Sequence, residues 1–307
     1  MSPKKGFSVL VPAFNEADCI ENFLQDLKQA LSDIDRAYEI IVVDDGSTDK
    51  TFSIASSFPE VKVVRHPYNK GYGASVKTGV QEAREDIIVT IDADGQHDPV
   101  HIPEMLKLLD EYDLVAGARY GFISGRRGFG NNFFCWLAIY LSNIKIPDLT
   151  CGLRAFTKDK FIEFVHIFPN KSSLPSTTIL SFAISGYNIK FLPIKDQPRV
   201  GGVSKVTIIK DGMRFTVLIL RMISLFNPMK VFTPLSIILF ILGLLWSIRT
   251  LLFSASLSPT VAMFFLGSIF VFMFGMLADQ IAETRLFLGK IYKSLNIKEA
   301  NKGANKD

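Results

Sequence analysis

Two carboxylates separated by one residue are the strongest chemical signal in this sequence. Asp92 and Asp94 directly follow the apolar run 87–91, and Gln96 stands two positions further on. Carboxylates placed this close repel each other unless a cation neutralises them, and Mg²⁺ and Mn²⁺ prefer such hard oxygen ligands. The spacing therefore predicts a site for Mg²⁺ or Mn²⁺, which the oxygens of a diphosphate group would complete.

Polar residues also follow two other short apolar runs, at 7–11 and 39–43. After the second run, the Asp45 carboxylate can accept hydrogen bonds from the N–H edge of a nucleobase. After the first run, Phe14 can pack on that base or position the loop. A helix N-cap and turn is the alternative interpretation of the segment around Asp45, and the two are compatible for neighbouring residues.

Such a site needs a sheet whose strands end side by side. Short apolar runs alternate with amphipathic segments, which predicts a mostly parallel α/β sheet with ligands at the carboxyl ends of its strands. We expect strands at 7–11, 39–43, 61–64, 87–91 and 114–116, and helices at 17–31, 51–57, 73–85 and 103–109.

Two apolar segments near the end of the chain, 234–253 and 260–278, are long enough to cross a membrane. A helix of about 20 residues matches the thickness of the hydrocarbon core. Basic residues flank the pair on both sides, so the positive-inside rule predicts a hairpin with both ends in the cytoplasm. Arg249 lies near the outer end, from which its side chain can reach the headgroups. Two buried core helices are the alternative, which the lack of a polar stripe disfavours.

Before the hairpin, the apolar segment 206–226 carries Lys210, Arg214 and Arg221. These three residues fall on one stripe of a helix, which predicts amphipathic helices at the membrane surface, with an ordinary core helix as the alternative. The predicted organisation is a cytoplasmic α/β domain at 1–204, juxtamembrane helices at 205–230, a transmembrane hairpin at 231–282 and a basic tail at 283–307.

Composition excludes several classes of protein. With 48% hydrophobic and 21% charged residues among 307, the chain is neither disordered nor collagen-like. A net charge of +4 is too small for a dedicated nucleic-acid binder, so we expect no nucleic-acid partner. Cys19, Cys135 and Cys151 lack the spacing of a disulfide framework or a zinc site. Gly71 and Gly73 lack the third glycine of a dinucleotide-binding dehydrogenase.

Three motifs in fixed order resemble those of the family 2 glycosyltransferases, which have the GT-A fold. They are VPAFNE at 11–16, VVDDGSTD at 42–49 and IDADGQHDP at 91–99, and the resemblance continues through 117–120, 148–154 and 199–205. With the membrane segments, the chain is similar to the polyprenyl-phosphate branch, which includes dolichol-phosphate mannose synthases and bacterial undecaprenyl-phosphate glucosyltransferases. The resemblance implies a nucleotide-sugar donor, a polyprenyl-phosphate acceptor, a divalent metal, and an integral membrane protein of the cytoplasmic membrane, or of the endoplasmic reticulum in a eukaryote, whose catalytic domain faces the cytosol.

The resemblance also implies roles for individual residues. The donor would contact Pro12, Phe14, Glu16, Val43, Asp45, Asp92, Ala93, Asp94, Arg119, Arg199 and Lys205. The acceptor phosphate would contact Arg126 or Arg127, a choice that stays open, together with Ser204 and Lys205. The metal would be held by Asp94, Gln96 and Asp92. The catalytic group would comprise Asp92, Asp94, Asp148 and Arg199, with Asp148 as a positioning residue and a base function as the alternative.

A lipid monophosphate is already anionic at neutral pH, so its attack on an anomeric carbon needs no strong general base. Catalysis would then rest on positioning and on neutralising the nucleoside diphosphate that leaves. UDP-glucose, UDP-N-acetylglucosamine and GDP-mannose stay open as donors, and analogy with two-span relatives slightly favours UDP-glucose. A processive polysaccharide synthase is a second alternative, disfavoured because the chain lacks a QxxRW motif. A non-catalytic membrane scaffold is a third, disfavoured by the intact Asp92 and Asp94.

Three smaller expectations complete the interpretation. His97 and His101 are interpreted as hydrated loop and helix-start histidines rather than ligands. Residues 171–178 are expected to form a loop that faces the sugar. A hairpin of this size is compatible with packing against copies of itself, as a homo-oligomer.

Overall fold

The computed structural model describes residues 5–119, 136, 139–140, 142–171, 173–195, 227–254 and 259–304. The chain divides into two compact units, one of residues 1–206 and 292–307 and the other of residues 207–291. Within the described residues, the first unit contains an α/β domain and the second contains two long apolar helices.

The α/β domain is built on one sheet. Its strands are β1 Phe7–Ala13, β2 Tyr38–Asp44, β3 Val61–Arg65, β4 Ile87–Thr90, β5 Leu114–Arg119, β6 Arg154–Thr157 and β7 Ile189–Ile194. The strand order is β3-β2-β1-β4-β6-β5-β7. Neighbouring strands run parallel except at β6, which is antiparallel to both β4 and β5. The predicted mostly parallel α/β sheet is confirmed.

Among the described residues, six helices accompany the sheet, one further helix lies in the second unit, and another begins in the second unit and continues beyond it. They are α1 Ile20–Ser32, α2 Thr51–Ala55, α3 Tyr72–Glu82, α4 Ile102–Leu108, α5 Lys158–Phe164, α6 Leu174–Ile184, α7 Met229–Ser254 and α8 Pro259–Ala304. Each strand and helix expected in the first 119 residues is present, with ends that differ by at most three residues. The segment 171–178 is different, because α6 begins at Leu174 where a loop was expected.

The core explains why the strands are continuous apolar runs. Every residue of β1 is buried, since helices cover both faces of a parallel sheet. Helix α1 contributes a stripe of buried residues at helical spacing, namely Ile20, Phe23, Leu24, Leu27 and Leu31. Strands β2 and β4 flank β1 in parallel register, so the residues that follow these three strands meet at one edge of the sheet.

Helices α7 and α8 contain stretches, Met229–Phe253 and Pro259–Arg285, whose length and composition suit membrane spans. The Ser268 hydroxyl donates to the Ser236 carbonyl at 2.9 Å, and the Phe240 and Phe265 rings meet edge to face at 5.2 Å between centroids. A side chain at Gly275 would place its Cβ 2.6 Å from that of Phe232. Small residues thus let the two helices approach closely, as in membrane-embedded pairs.

Two features of this second unit bear on the sequence predictions. Helix α8 does not end near 278 but continues to Ala304, through most of the segment expected to be a tail. The guanidinium of Arg249 lies over the Trp246 ring at 4.7 Å, a pairing that suits a membrane interface. The basic stripe of Lys210, Arg214 and Arg221 lies outside the described residues.

Candidate active site

A cavity of about 320 Å³ opens at the carboxyl ends of β1, β2 and β4. It is lined by Pro12, Ala13, Phe14, Glu16, Asp45, Asn69, Gly71, Tyr72, Ser75, Asp92, Ala93 and Asp94. Seven of these are predicted donor-binding residues, which the sequence carries on three separate loops. Val43, also predicted to bind the donor, is fully buried within β2 and does not line the cavity.

Asp45 is held in place by the loop that follows β3. Its Oδ1 atom accepts hydrogen bonds from the Lys70 amide at 2.9 Å and from His66 Nδ1 at 2.7 Å. Its Oδ2 atom accepts one from the Gly71 amide at 2.8 Å. The neighbouring Asp44 instead accepts from the Ser47 amide at 3.1 Å, within a turn. Asp44 therefore belongs to the turn, whereas the adjacent Asp45 lies at the cavity, so each interpretation applies to a different residue.

Gly71 and Gly73 provide space for a second chain segment. Gly71 has φ 104°, and a Cβ on it would lie 2.5 Å from the Asn170 carbonyl oxygen. A Cβ on Gly73 would lie 2.1 Å from the Pro169 carbonyl oxygen. Lys77 Nζ ties the same segment down through the Phe168 carbonyl at 2.5 Å. These glycines therefore serve the close approach of two backbones rather than dinucleotide binding.

Asp92 lies on the opposite side of the cavity with one oxygen unsatisfied. Among the described residues, its buried Oδ1 atom has no hydrogen-bond partner. Burial has the largest influence and raises the pKa of Asp92; the nearby His97 opposes this rise, and the charge of Asp94 adds to it. The Tyr72 hydroxyl forms a hydrogen bond with Asp92. A buried carboxylate oxygen without a donor, next to a second carboxylate, fits a divalent cation.

Gly152 is required for Asp92 to occupy this position. A Cβ on Gly152 would lie 2.1 Å from Asp92 Oδ2, far inside van der Waals contact. The Gly152 carbonyl accepts a hydrogen bond from the Thr90 hydroxyl at 2.8 Å, which anchors the glycine against β4. The glycine of the 148–154 motif is thus explained by the carboxylate beside it.

Asp94 and Gln96 occupy the turn that follows Asp92, where Asp94 Oδ1 accepts from the Gln96 amide at 3.1 Å. In the part of the chain that the structure describes, no group of three or more His, Cys, Asp or Glu side chains could enclose a metal ion. A cation bound by Asp92, Asp94 and Gln96 would therefore need further oxygens from a ligand. A nucleoside diphosphate carries such oxygens, and Mg²⁺ is commonly bound by one or two carboxylates plus substrate phosphates.

The expectation of a hydrated His97 is wrong. Its side chain is buried, with Nε2 at 3.9 Å from Asp92 Oδ2 and 3.8 Å from the Cys151 sulfur. The loop that carries Cys151 covers it, and the sequence near His97 holds no sign of that loop. His101 is only partly buried and ends the short 3₁₀ turn Pro99–His101 before α4, so the helix-start interpretation is confirmed.

Asp148 forms a bidentate ion pair with Arg119. Its Oδ2 accepts from Arg119 Nε at 2.6 Å and its Oδ1 from Arg119 Nη2 at 3.1 Å, while the Thr150 amide donates to Oδ1 at 2.9 Å. Burial alone would raise the pKa of Asp148, but the bonds and charge of Arg119 outweigh it and lower the pKa below its ordinary value. An ionised carboxylate whose acceptor positions are filled by hydrogen bonds suits a positioning role and is poorly suited to act as a general base.

Arg154 is a structural residue that we did not single out from the sequence. Its buried guanidinium donates to the backbone carbonyls of Cys151 at 2.8 Å, Leu149 at 3.1 Å and Pro175. It therefore fixes the loop that carries Asp148 and Gly152 against the start of α6. The arginine of the motif 148–154 was the available signal, but only the carbonyls around it reveal the role.

The predicted residues Arg126, Arg127, Arg199, Ser204 and Lys205 lie outside the described residues. Their roles with the acceptor phosphate and the donor stay predictions. Arg119 is the predicted phosphate-contacting residue that the structure does describe, and it lies at the end of β5 beside Asp148.

A mixed sheet with a carboxylate-bearing cleft at its carboxyl edge is typical of the GT-A fold, which one large class of glycosyltransferases shares. The chain belongs to glycosyl transferase family 2, whose family model matches residues 8–164. A second model, the GtrB C-terminal hairpin, matches residues 227–284. The protein is therefore a glycosyltransferase, and the GT-A fold followed by two apolar helices agrees with the fold expected from the sequence.

Relatives place the chain within this family. It is 25% identical over 298 residues to an undecaprenyl-phosphate 4-deoxy-4-formamido-L-arabinose transferase of Edwardsiella ictaluri, covering 94% of this chain and 90% of that protein. It is 31% identical over 180 residues to a UDP-N-acetylglucosamine–dolichyl-phosphate N-acetylglucosaminyltransferase of Methanococcus voltae, covering 49% and 68%. The resemblance to the polyprenyl-phosphate branch is confirmed.

Solved structures share the fold. Glucosyl-3-phosphoglycerate synthase from Mycobacterium tuberculosis, in complex with Mn²⁺, UDP and phosphoglyceric acid, superposes with a TM-score of 0.57. The match covers 72% of this chain and 78% of that one at 20% sequence identity, a level that establishes the fold.

Proposed function

We propose that this protein transfers a sugar, with UDP-glucose as the favoured donor, to a polyprenyl phosphate at the cytosolic face of a membrane. The observation that carries the proposal is that one cavity contains two carboxylates in different environments: Asp45 accepts hydrogen bonds from the loop after β3, and Asp92 has a buried Oδ1 atom with no partner among the described residues. The relatives support the acceptor class, since their names specify undecaprenyl and dolichyl phosphates. The apolar hairpin is consistent with a lipid acceptor.

In this proposal each side of the cleft has one task. Asp45 accepts a hydrogen bond from the nucleobase, and Asp92 and Ala93 contact the ribose and diphosphate. Asp94 and Gln96 hold Mg²⁺ or Mn²⁺. The metal, when bound, neutralises the charge that develops on the departing diphosphate. Pro12, Phe14 and Glu16 also line this cavity and would contact the donor.

The proposed reaction is a single displacement with inversion. An acceptor phosphate oxygen forms a bond to the anomeric carbon while the bond from that carbon to the diphosphate oxygen breaks. The leaving nucleoside diphosphate takes the electron pair, and no proton transfer is required. Asp148 contributes by holding Arg119 beside the sugar and phosphates. We assign Arg126 or Arg127, with Ser204 and Lys205, to the acceptor phosphate, and Arg199 and Lys205 to the donor.

The proposed arrangement places the domain 1–204 and the tail 283–307 on the cytosolic side of the cytoplasmic membrane, or of the endoplasmic reticulum membrane in a eukaryote. Residues 205–230 lie on the membrane surface and 231–282 form the hairpin. Reporter fusions at Asp307 and within the linker 255–258 would test this orientation. We expect cytosolic signals from the first and external signals from the second, and the reverse pattern would refute it.

A donor panel tests the proposed reaction. Detergent-purified protein is incubated with a short polyprenyl phosphate, Mn²⁺ or Mg²⁺, and radiolabelled UDP-glucose, UDP-N-acetylglucosamine or GDP-mannose. We expect label from UDP-glucose to enter the organic phase, to be lost on mild acid and to disappear with EDTA. A different productive donor would correct the sugar. Polymer formed without lipid product would indicate a processive synthase, and complete inactivity of folded protein would indicate a scaffold.

A further inference from the structure

The buried side chain of His66 limits what the Asp45 carboxylate can still bind. An ionised carboxylate offers about four lone-pair positions, two on each oxygen. The Lys70 amide and His66 Nδ1 occupy both positions of Oδ1, and the Gly71 amide occupies one of Oδ2. Among the described residues nothing else donates to this carboxylate, which is 3% exposed. One acceptor position, on Oδ2, is left for a ligand.

His66 is fixed from its other side as well. Its Nε2 atom lies 3.0 Å from the Thr78 hydroxyl on α3, and its backbone amide donates to the Asp44 carbonyl at 2.8 Å. Because a carboxylate oxygen accepts, His66 Nδ1 is the donor to Asp45, while Nε2 forms the hydrogen bond with the Thr78 hydroxyl, which can either donate or accept. The ring is 5% exposed and cannot turn away without breaking both bonds. The acceptor capacity of Asp45 is therefore set before any ligand arrives.

We propose that His66 is a positioning residue that sets the base specificity of the cavity, because it leaves Asp45 a single acceptor position that suits a uracil base and not a guanine. Uracil presents one N–H, at N3, between two carbonyl groups. Guanine presents two adjacent N–H donors, at N1 and N2, which pair with both oxygens of an open carboxylate. On Asp45 the second donor of guanine would stay unpaired in a buried site, which disfavours binding. This inference rests on the proposed nucleotide-sugar transfer and narrows its donors to uridine diphosphate sugars.

A purely structural role for His66 makes a different prediction. If the ring only supported the loop 66–71, its loss would weaken all nucleotides alike. If it limits the acceptor capacity, its loss opens a second position on Oδ1 and changes the ratio of affinities for GDP and UDP. The affinity ratio is therefore the measurement that separates the two roles.

The test uses full-length protein in detergent with Mn²⁺, titrated calorimetrically with UDP, GDP and N3-methyl-UDP. Wild type should bind UDP at least about tenfold more tightly than GDP or N3-methyl-UDP, since each analogue leaves a buried group unpaired. H66F removes the donor and should raise the GDP-to-UDP affinity ratio by about tenfold. H66N keeps an N–H near the Nδ1 position and should stay within about twofold of the wild-type ratio.

Several results would overturn the inference. They are equal affinity of wild type for UDP and GDP, equal binding of N3-methyl-UDP and UDP, or equal weakening of both nucleotides by H66F. The N3-methyl-UDP titration needs no variant, so equal binding of N3-methyl-UDP and UDP would overturn the inference even where H66F does not fold. Failure of sugar transfer to polyprenyl phosphate, with the UDP preference intact, would instead refute the proposed function and leave the role of His66 standing.

Discussion

Asp45 and Asp92 follow the two strands that flank β1, yet the two sides of the cavity treat their carboxylates in opposite ways. Asp45 receives three hydrogen bonds from the loop that follows β3, whereas Asp92 keeps a buried oxygen with no partner among the described residues. A carboxylate with one acceptor position left is prepared to select a ligand, while a buried carboxylate oxygen without a partner is unfavourable until a cation binds. Under the proposed function, this difference means that the nucleobase side of the cavity, at Asp45, is preorganised, whereas the cation side, at Asp92 and Asp94, is completed by its ligands.

Removing the carboxylate of Asp94 should have the largest effect on sugar transfer. Asp94→Ala should lower sugar transfer by at least about 100-fold, because the charge that leaves with the diphosphate is no longer neutralised. Initial rates of label entering the organic phase measure this loss. Asp98→Asn is the matched control, since the Asp98 side chain caps the 3₁₀ turn through the Val100 amide and Asn caps equally well. Normal turnover by Asp94→Ala would remove the metal assignment.

The next test displaces the carboxylate of Asp92 without removing it. In Gly152→Ala the new Cβ would lie 2.1 Å from Asp92 Oδ2, so either the carboxylate or the loop must move. We expect transfer to fall by about 10–100-fold, in line with a misplacement of about 1 Å near the chemistry, while UDP still binds. Gly267→Ala is the control, because no atom lies within 4 Å of a Cβ at that position. Full activity of Gly152→Ala would show that the position of Asp92 is not critical.

At Asp45, on the nucleobase side of the cavity, we expect a substitution to change donor binding rather than turnover. Asp45→Asn places an NH₂ group against the amides of Lys70 and Gly71 and against His66, so one contact becomes repulsive. The KM for the donor should rise by about tenfold, with kcat within about threefold. Steady-state kinetics at varied donor concentration separate the two parameters. A fall in kcat at unchanged KM would mean that Asp45 acts on the reaction itself.

The smallest effect is a pH-dependent change in stability at the Asp148–Arg119 pair. The folded-state pKa of Asp148 is lowered, so its stabilising contribution is present above the unfolded value near 3.8 and is lost as the pH falls through the lower folded pKa. Asp148→Asn should lower the Tm at pH 7 and lose less Tm than wild type below about pH 4. Thermal melts in detergent at several pH values measure this. Parallel curves for the two proteins would contradict the assigned ion pair.

Much of the fold was predictable because parallel strands are read directly from short apolar runs. The strands β1 to β5 and the carboxylates after β4 follow from patterns within about ten residues. Helix α6 was missed because its first turn is rich in serine and threonine. The hydroxyl of Thr178 donates to the Leu174 carbonyl within the helix, and Pro175 in its first turn was an available signal of a helix start.

The parts of the site that the sequence did not predict depend on contacts between distant segments. Gly71 leaves room for Asn170, and Gly152 leaves room for Asp92. His97 is buried beside a cysteine 54 residues further along the chain. Likewise, the motif VVDDGSTD marks Asp45 as a candidate but does not show that His66 fills part of its acceptor capacity. Residue types indicated which chemistry each position could perform. The burial and hydrogen-bond partners of these side chains could be determined only from the fold.

The most direct test of the division between a nucleobase side and a cation side is Mn²⁺ binding, measured by electron paramagnetic resonance with and without UDP. Full-length wild type should bind Mn²⁺ more tightly when UDP is present, because the diphosphate completes the ligand set. Asp94→Asn should lose Mn²⁺ binding in both conditions, whereas Asp45→Asn should keep the intrinsic site and lose the gain from UDP at limiting nucleotide. Equal losses in the two variants, or unchanged Mn²⁺ binding by Asp94→Asn, would contradict this division.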